Sequence, residues 1–241
     1  MTWSLIARDA DGAFGVVVAS RFFAVGALCP HAASGVGALS TQALVNPLYA
    51  RAALRSMAHG RTPQEIVYAL TAADAGRDLR QLHMIDAQGR IAAHTGRACI
   101  EWCGQRAGDG YSVAGNMLAG PRVLDDTAAT FEAGSALPFA ERLIAALAAG
   151  EAAGGDKRGK QAAALLICTT EDYPALSLRV DDHPDPIAEL RRLFEKSLER
   201  FQPFTACLPR RDDPVGTIDR GAIEAYIERF HAHRGSAPPS G

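Results

Sequence analysis

Residues 2–20 read TWSLIARDADGAFGVVVAS, and this stretch sets the fold class. Trp3–Arg8 and Phe14–Ser20 are short apolar runs, and Asp11-Gly12 between them signals a two-residue hairpin turn, so the chain is expected to open as an antiparallel strand pair. An unbulged turn of that length pairs Thr2 with Arg21 and Trp3 with Ser20; a bulge exchanges Arg21 for Ser20 opposite Thr2. A third extended run, Gly35–Ser40, leads past Thr41 and Gln42 into residues 46–57, where Tyr49, Ala53 and Met57 follow helical spacing and Pro47 suits a first helical position. Thr62, Pro63 and Glu65 form the start of a second helix in capping-box layout, running to about Ala73.

The same punctuation continues along the chain. Leu82–Asp86 and Arg90–His94 flank Ala87-Gln88-Gly89 as another hairpin, and Tyr111–Ala114 reads as a strand before Gly115. Helical patterns follow at Leu118–Phe131 and Pro138–Ala149. A glycine-rich loop, residues 150–160, delivers into a buried strand at Gln161–Thr169, and Leu176–Val180 continues the sheet. Pro186–Phe201 is a charged amphipathic helix; Pro203, Pro209 and Pro214 then interrupt the pattern before a last helix from about Thr217 to His233, and GSAPPSG at the end is expected to be disordered. Strand pairs alternating with helix pairs make an α+β protein, satisfied by two antiparallel sheets packed face to face with helices outside. The expected division is a main domain over 1–201 and a proline-containing linker, helix and tail over 202–241.

Composition narrows the function classes. The 25 Lys and Arg against 27 Asp and Glu leave a formal charge of -2. Nothing global therefore attracts nucleic acid or an anionic membrane, and a small molecule is the expected partner. Five cysteines without CxxC spacing argue against a zinc ribbon and a fully paired disulfide set. The start lacks the basic-then-apolar layout of a signal peptide, and no apolar run approaches 18 residues, so a cytoplasmic protein is expected. The glycines form neither GxGxxG after a strand nor GxxxxGK[ST], so no cofactor is indicated; Asp181, Asp182 and His183 supply too few ligands at one centre to indicate a metal. The charged helices at 186–201 and 217–233 suit a homodimer or higher homo-oligomer.

Thr2 is the sharpest chemical feature. Initiator methionine is normally removed before a small side chain, and removal of Met1 would leave a free α-amine beside the threonine hydroxyl. Such an amine titrates near pH 7.7–8.0 and can take the hydroxyl proton, making one residue both nucleophile and base. Ser20 or Arg21 stands near Thr2 at the end of the second strand, where arginine can lower the amine pKa or hold an anion but cannot act as a base. Backbone N–H groups at Thr41 and Gln42 suit an oxyanion, and Gln42 and Asn46 can read a substrate. Asn116 can donate to the oxyanion or orient the amine, or else caps a helix. Asp156, Lys157 and Arg158, in their glycine-flanked loop, suit an anion, and His183 can project toward a substrate. A separate reading makes Cys29, near the third strand, the nucleophile, against its reading as a small buried apolar residue.

TWSLIARD, GVVVASRFFAVG, GALSTQALVNP, QLHMIDAQGRIAAHTG, AGNMLAGP, GGDKRGKQAAALL and LRVDDHPDPIAELRRL, in this order over roughly residues 2–200, resemble an uncharacterised bacterial family, the domain of unknown function 1028 family, assigned to the N-terminal-nucleophile hydrolase superfamily. The resemblance implies a four-layer αββα sandwich and hydrolysis of an amide through an ester on Thr2. It also implies an oxyanion donor at the Thr41–Gln42 corner, a glycine-containing turn at Gly115-Asn116, and a family signature at Asp156–Arg158. GVVVASR is similar to the second strand of proteasome-type threonine peptidases, where a catalytic aspartate ends the strand. Here Ser20 or Arg21 holds that place, and no lysine lies between Arg21 and Thr41, so proteasome-type peptidase chemistry is not expected. The alternative is a ligand-binding or assembly protein that keeps the fold without catalysis.

Overall fold

The computed structural model describes residues 2–235. Met1, and with it the expected processing, lies outside the described residues, as does the expected disorder of 236–241. Two compact units meet at Leu190 and Arg191, inside a helix, where the sequence suggested a division after residue 201.

The first unit is built on two antiparallel sheets. Its strands are β1 (Thr2–Arg8), β2 (Phe14–Ser20), β3 (Pro30–Ala33), β4 (Gly37–Ala43), β5 (Arg80–Asp86), β6 (Ile91–Thr95), β7 (Gly104–Gly108), β8 (Tyr111–Asn116), β9 (Ala162–Cys168) and β10 (Leu176–Val180). The six-stranded sheet runs β10-β9-β2-β1-β8-β7 and the four-stranded sheet β3-β4-β5-β6. β1, β2 and β8 of the larger sheet pack on β3, β4 and β5 of the smaller one. Helices α1 (Leu48–Ala58) and α2 (Pro63–Ala73) cover the outer face of the four-stranded sheet, and α3 (Arg122–Ala133) and α4 (Phe139–Ala152) that of the six-stranded sheet. The result is an α+β fold of four layers, αββα. Helix α5 (Pro186–Glu199) carries the chain into the second unit, which holds α6 (Phe201–Thr205) packed on α7 (Arg220–Gly235).

The central strands are buried on both faces, so each of them serves two cores. On β1, Trp3, Leu5 and Ala7 point one way while Thr2, Ser4 and Ile6 point at the facing sheet, where Ile6 packs with Phe14, Val16, Ala38 and Ile85.

The first hairpin corrects the two-residue turn. Arg8 pairs with Phe14, Asp9 N–H reaches Ala13 O at 2.9 Å, and Gly12 N–H reaches Asp9 O at 3.1 Å. This is a three-residue loop closed by Gly12 at φ 86°, a backbone state glycine reaches without steric cost, and Asp9 Oδ1 accepts Ala13 N–H at 2.7 Å to hold it. One added loop residue shifts the ladder by one, so Thr2 faces Ser20 and not Arg21.

Strand β4 also runs further than expected, through Thr41 and Gln42 to Ala43, and β8 runs through Gly115 to Asn116. Asn116 is therefore the last residue of a strand and not a helix cap. The capping box at Thr62 and Glu65 is present, with Pro63 opening α2. Strands β3 and β7 and the short helix α6 have no counterpart in the sequence reading; β7 (GQRAG) is a largely exposed edge strand without an apolar alternation to mark it.

Candidate active site

The space between the sheets changes character along its length. Beyond the apolar cluster around Ile6, the inward positions include Thr2, Ser4, Ser20, Ser40, Gln42, Gln81, His83, Ser112 and Asn116, all buried. Polar groups in such a place are costly unless hydrogen-bonded, and these bond to one another. Ser4 donates to Gln42 Oε1 at 2.7 Å, and its oxygen lies 2.8 Å from His83 Nε2. Ser40 donates to the same Gln42 Oε1 at 3.2 Å. Gln42 Nε2 donates to Gln81 Oε1 at 2.9 Å and to Ala114 O at 3.1 Å, and Asn116 Nδ2 donates to Gln81 Oε1 at 3.0 Å. His83 Nδ1 lies 3.0 Å from Ser112 Oγ. Burial pushes the His83 imidazole down to about 3, so it is neutral at physiological pH.

Thr2 stands at the polar end of this layer. It lies in the sheet between Ser20 of β2 and Asn116 of β8. Its Oγ1 is 3.1 Å from Ser20 Oγ, and its carbonyl takes a long bond, 3.4 Å, from Asn116 Nδ2. Only 5 % of Thr2 is exposed in the full-length chain.

The loop carrying Asp156 and Lys157 crosses this same end of β1. Asp156 Oδ2 accepts the backbone N–H of Arg21, just past β2, at 2.9 Å; Asp156 also bridges to Leu118, and Lys157 N–H reaches Met117 O at 3.5 Å, just past β8. Since β2 and β8 flank β1, the strap spans two strand spacings, roughly 10 Å, at the N-terminal end of β1. Gly154, Gly155 and Gly159, at φ 115°, 48° and 100°, give it the required backbone. The Asp156 side chain is fully buried and also accepts Arg158 N–H at 2.8 Å and the Arg158 guanidinium at 3.2 Å. Lys157 Nζ donates to Glu101 O at 2.7 Å, and Arg21, exposed, places Nη1 on Lys160 O at 3.3 Å.

Other residues singled out from sequence are engaged elsewhere. Thr41 N–H donates to Cys29 O at 3.2 Å, which occupies the donor an oxyanion would need, and Thr41 Oγ1 meets Asn46. Asn46 Oδ1 caps the start of α1 by accepting Leu48 N–H, and its Nδ2 lies on Asp74. The Tyr49 hydroxyl, Gly76 N–H and Arg80 hold the Asp74 carboxyl well below the usual range. His183 Nδ1 accepts Asp185 N–H at 3.0 Å in the turn before α5. Cys29 is buried, and that burial pushes its thiol up to about 12, which removes the thiolate a nucleophile requires.

Sequence reasoning missed Ser4, Ser40, Gln81, His83 and Ser112. Their signal is an alternation: in β5, Gln81 and His83 interleave with Leu82 and Met84, which marks one face as polar but not that the face is buried.

A cleft of about 290 Å3 opens beside Asn116, walled by Ala43, Leu44, Leu79, Cys99, Ile100 and Met117 among others. Ala43 and Met117, at the ends of β4 and β8, take φ of 67° and 56°, a left-handed state costing about 1–3 kcal/mol for residues other than glycine. Bonds from Met117 N–H to Ile100 O (2.8 Å) and from Leu44 N–H to Leu79 O (3.1 Å) hold these bends. Among the described residues no three His, Cys, Asp or Glu side chains converge to hold a metal ion, and no helix is long and apolar enough to cross a membrane.

Residues 2–190 match a family model described as a family of unknown function, DUF1028. The crystal structure of protein SPO2555 from Silicibacter pomeroyi, itself assigned to that family model, is similar with a TM-score of 0.84 and 32% identity, covering 91% of this chain and 96% of that one. Anbu (ancestral beta-subunit) from Yersinia bercovieri aligns over 81% of this chain and 94% of that one at 14% identity, with a TM-score of 0.37. No curated protein matches.

Proposed function

Because the chain belongs to the DUF1028 family, whose function is unknown, its chemistry has to be read from its own residues, and we propose that it is an amidohydrolase of N-terminal-nucleophile type acting through Thr2. The observation that carries this reading is the place of Thr2: the first residue of a central strand, at the polar end of the inter-sheet layer, with Ser20 on one side, Asn116 on the other, and a cleft at Asn116.

In this reading Met1 is removed and the Thr2 α-amine accepts the hydroxyl proton as Oγ1 bonds to an amide or lactam carbonyl carbon. The ammonium returns that proton to the leaving nitrogen as the C–N bond breaks, leaving an ester on Thr2. Water, deprotonated by the same amine, then attacks the ester and restores the hydroxyl. Ser20 Oγ, at 3.1 Å, orients the nucleophile. With Thr41 N–H committed to Cys29, the oxyanion donor falls to Asn116 Nδ2, whose bond to Thr2 O is long and exchangeable. The Asp156 carboxylate balances the ammonium at the strand end, while Arg21 and Lys157 hold an anionic group of the substrate; Asn46 and His183 take no part.

Mass analysis of the mature N-terminus, followed by assay of native and Thr2→Ala protein on a panel of small amides, tests the reading. Loss of Met1 and turnover abolished by Thr2→Ala are expected; a functional protein that keeps Met1, or turnover that survives the substitution, overturns it. The burial of Thr2 and the engagement of its hydroxyl by Ser20 favour one rival, a non-catalytic ligand-binding protein. Its mark is ligand binding indifferent to Thr2→Ala with no amide turned over.

A further inference from the structure

The cleft beside Asn116 has no assigned occupant, and we infer that it takes the uncharged, apolar substituent on the carbonyl carbon of the substrate amide, a group of branched-alkyl or phenylalkyl size. This inference rests on the hydrolase reading above.

Three observations converge on it. The first is composition: apart from Asn116, the lining residues are Ala, Leu, Cys, Ile and Met, with no charged side chain among them. Such a wall gains free energy by shedding water onto an apolar group and offers nothing to a charged one. Arg80, which reaches Leu44 O at 2.6 Å, has its charge met by Asp74 at 3.0 Å.

The second is the rim. Leu44, Leu79 and Ile100 leave 57%, 43% and 56% of their surfaces in solvent. Three large aliphatic side chains exposed around one opening, rather than scattered singly, mark a surface meant to be covered. The left-handed Ala43 and Met117 both line the cleft, so strained backbone sits where a ligand would be held.

The third is size and direction. A dry apolar cavity of about 150 Å3 holds a benzene ring. About 290 Å3 therefore admits a ring with a short alkyl chain or an equivalent branched acyl group. Asn116, the proposed partner of the carbonyl oxygen and the strand neighbour of Thr2, lines the cleft. The group on the carbonyl carbon stays attached to Thr2 through both chemical steps, whereas the amine departs after the first, so a binding cleft suits the part that stays.

The test uses Thr2→Ala protein, which binds without turnover, titrated calorimetrically with 5-phenylpentanamide and with acetamide. The phenylalkyl amide is expected to bind at least tenfold more tightly, and Ile100→Asp and Leu44→Asp, both at exposed positions, are each expected to weaken it about tenfold with unchanged circular dichroism. Equal binding of the two amides, or phenylpentanamide affinity untouched by both charged variants, overturns the inference. The two readings fail separately. Binding of phenylpentanamide to protein that never hydrolyses any amide retires the hydrolase and leaves the apolar cleft, whereas hydrolysis of both amides with equal kcat/KM retires the cleft and leaves the hydrolase.

Discussion

Thr2 and Ser20 face each other across the β1–β2 ladder, hydroxyl to hydroxyl at 3.1 Å, because a three-residue loop closes the hairpin. A two-residue loop would have set the exposed Arg21 there instead. The shift replaces a fixed cation, which cannot accept a proton, with a hydroxyl that both donates and accepts. That pairing leads directly to a measurable role.

Ser20→Ala is expected to lower kcat on any amide substrate about tenfold to a hundredfold with KM little changed, since an orienting contact to the nucleophile is lost and no binding contact is. The fold is expected to survive, at a cost of about 1–2 kcal/mol for the unpaired Thr2 hydroxyl. Steady-state kinetics beside urea denaturation check both; a variant with undiminished kcat removes Ser20 from the site.

Asp156 governs the strap over the N-terminal end of β1. Asp156→Ala leaves the N–H groups of Arg21 and Arg158 without their acceptor, and a loss of about 2–4 kcal/mol in unfolding free energy is expected. Asp156→Asn keeps an oxygen and should lose less than half as much. Equal stability of Asp156→Ala and the native protein in urea would show that the strap holds without the carboxylate.

Much of this architecture is legible in the residues. The strand pairs announce themselves by short apolar runs between glycine-containing turns, and Thr62, Pro63 and Glu65 start α2 as their chemistry requires. The limits have physical causes. The Asp11-Gly12 dipeptide suggests a two-residue turn, yet the Asp9 carboxylate stabilises the longer loop by taking Ala13 N–H, and one residue of register follows. Gln42 reads as a strand-to-helix corner and Asn116 as a helix cap because neither segment displays Gln81, whose Oε1 accepts from both, from the neighbouring strand for Gln42 and from the facing sheet for Asn116. For the same reason Gln81 and His83 read as a solvent face. Their burial is a property of two sheets meeting, not of either strand.

Cys29 gives a clean chemical check. With its thiol pushed up to about 12, roughly one molecule in ten thousand carries a thiolate at pH 8. Native protein treated with iodoacetamide is expected to keep Cys29 unmodified over hours, as read by peptide mass spectrometry, and Cys29→Ala to keep full activity. Rapid alkylation of Cys29 with loss of turnover would return the nucleophile role to it.

His83 adds to the acid sensitivity of the fold. Its imidazole is held neutral by burial, with a folded pKa of about 3 against an ordinary value of 6.5. The depressed folded value means that its contribution is fully present above pH 6.5. As pH falls below that, the unfolded chain takes up a proton that the folded chain refuses, and stability declines until pH nears 3. The slope approaches about 1.4 kcal/mol per pH unit within that window. Charging the ring inside the fold would set a cation among Ser4, Gln42 and Ser112, with no carboxylate among the network's hydrogen-bonding side chains. Urea unfolding at pH 7.0, 5.5 and 4.5 is therefore expected to show a progressive loss in native protein and a shallower one in His83→Gln, which keeps a polar side chain but does not titrate. Parallel pH dependences for the two proteins would mean that His83 accepts its proton without unfolding, and that the polar layer between the sheets is wetter than its hydrogen bonds imply.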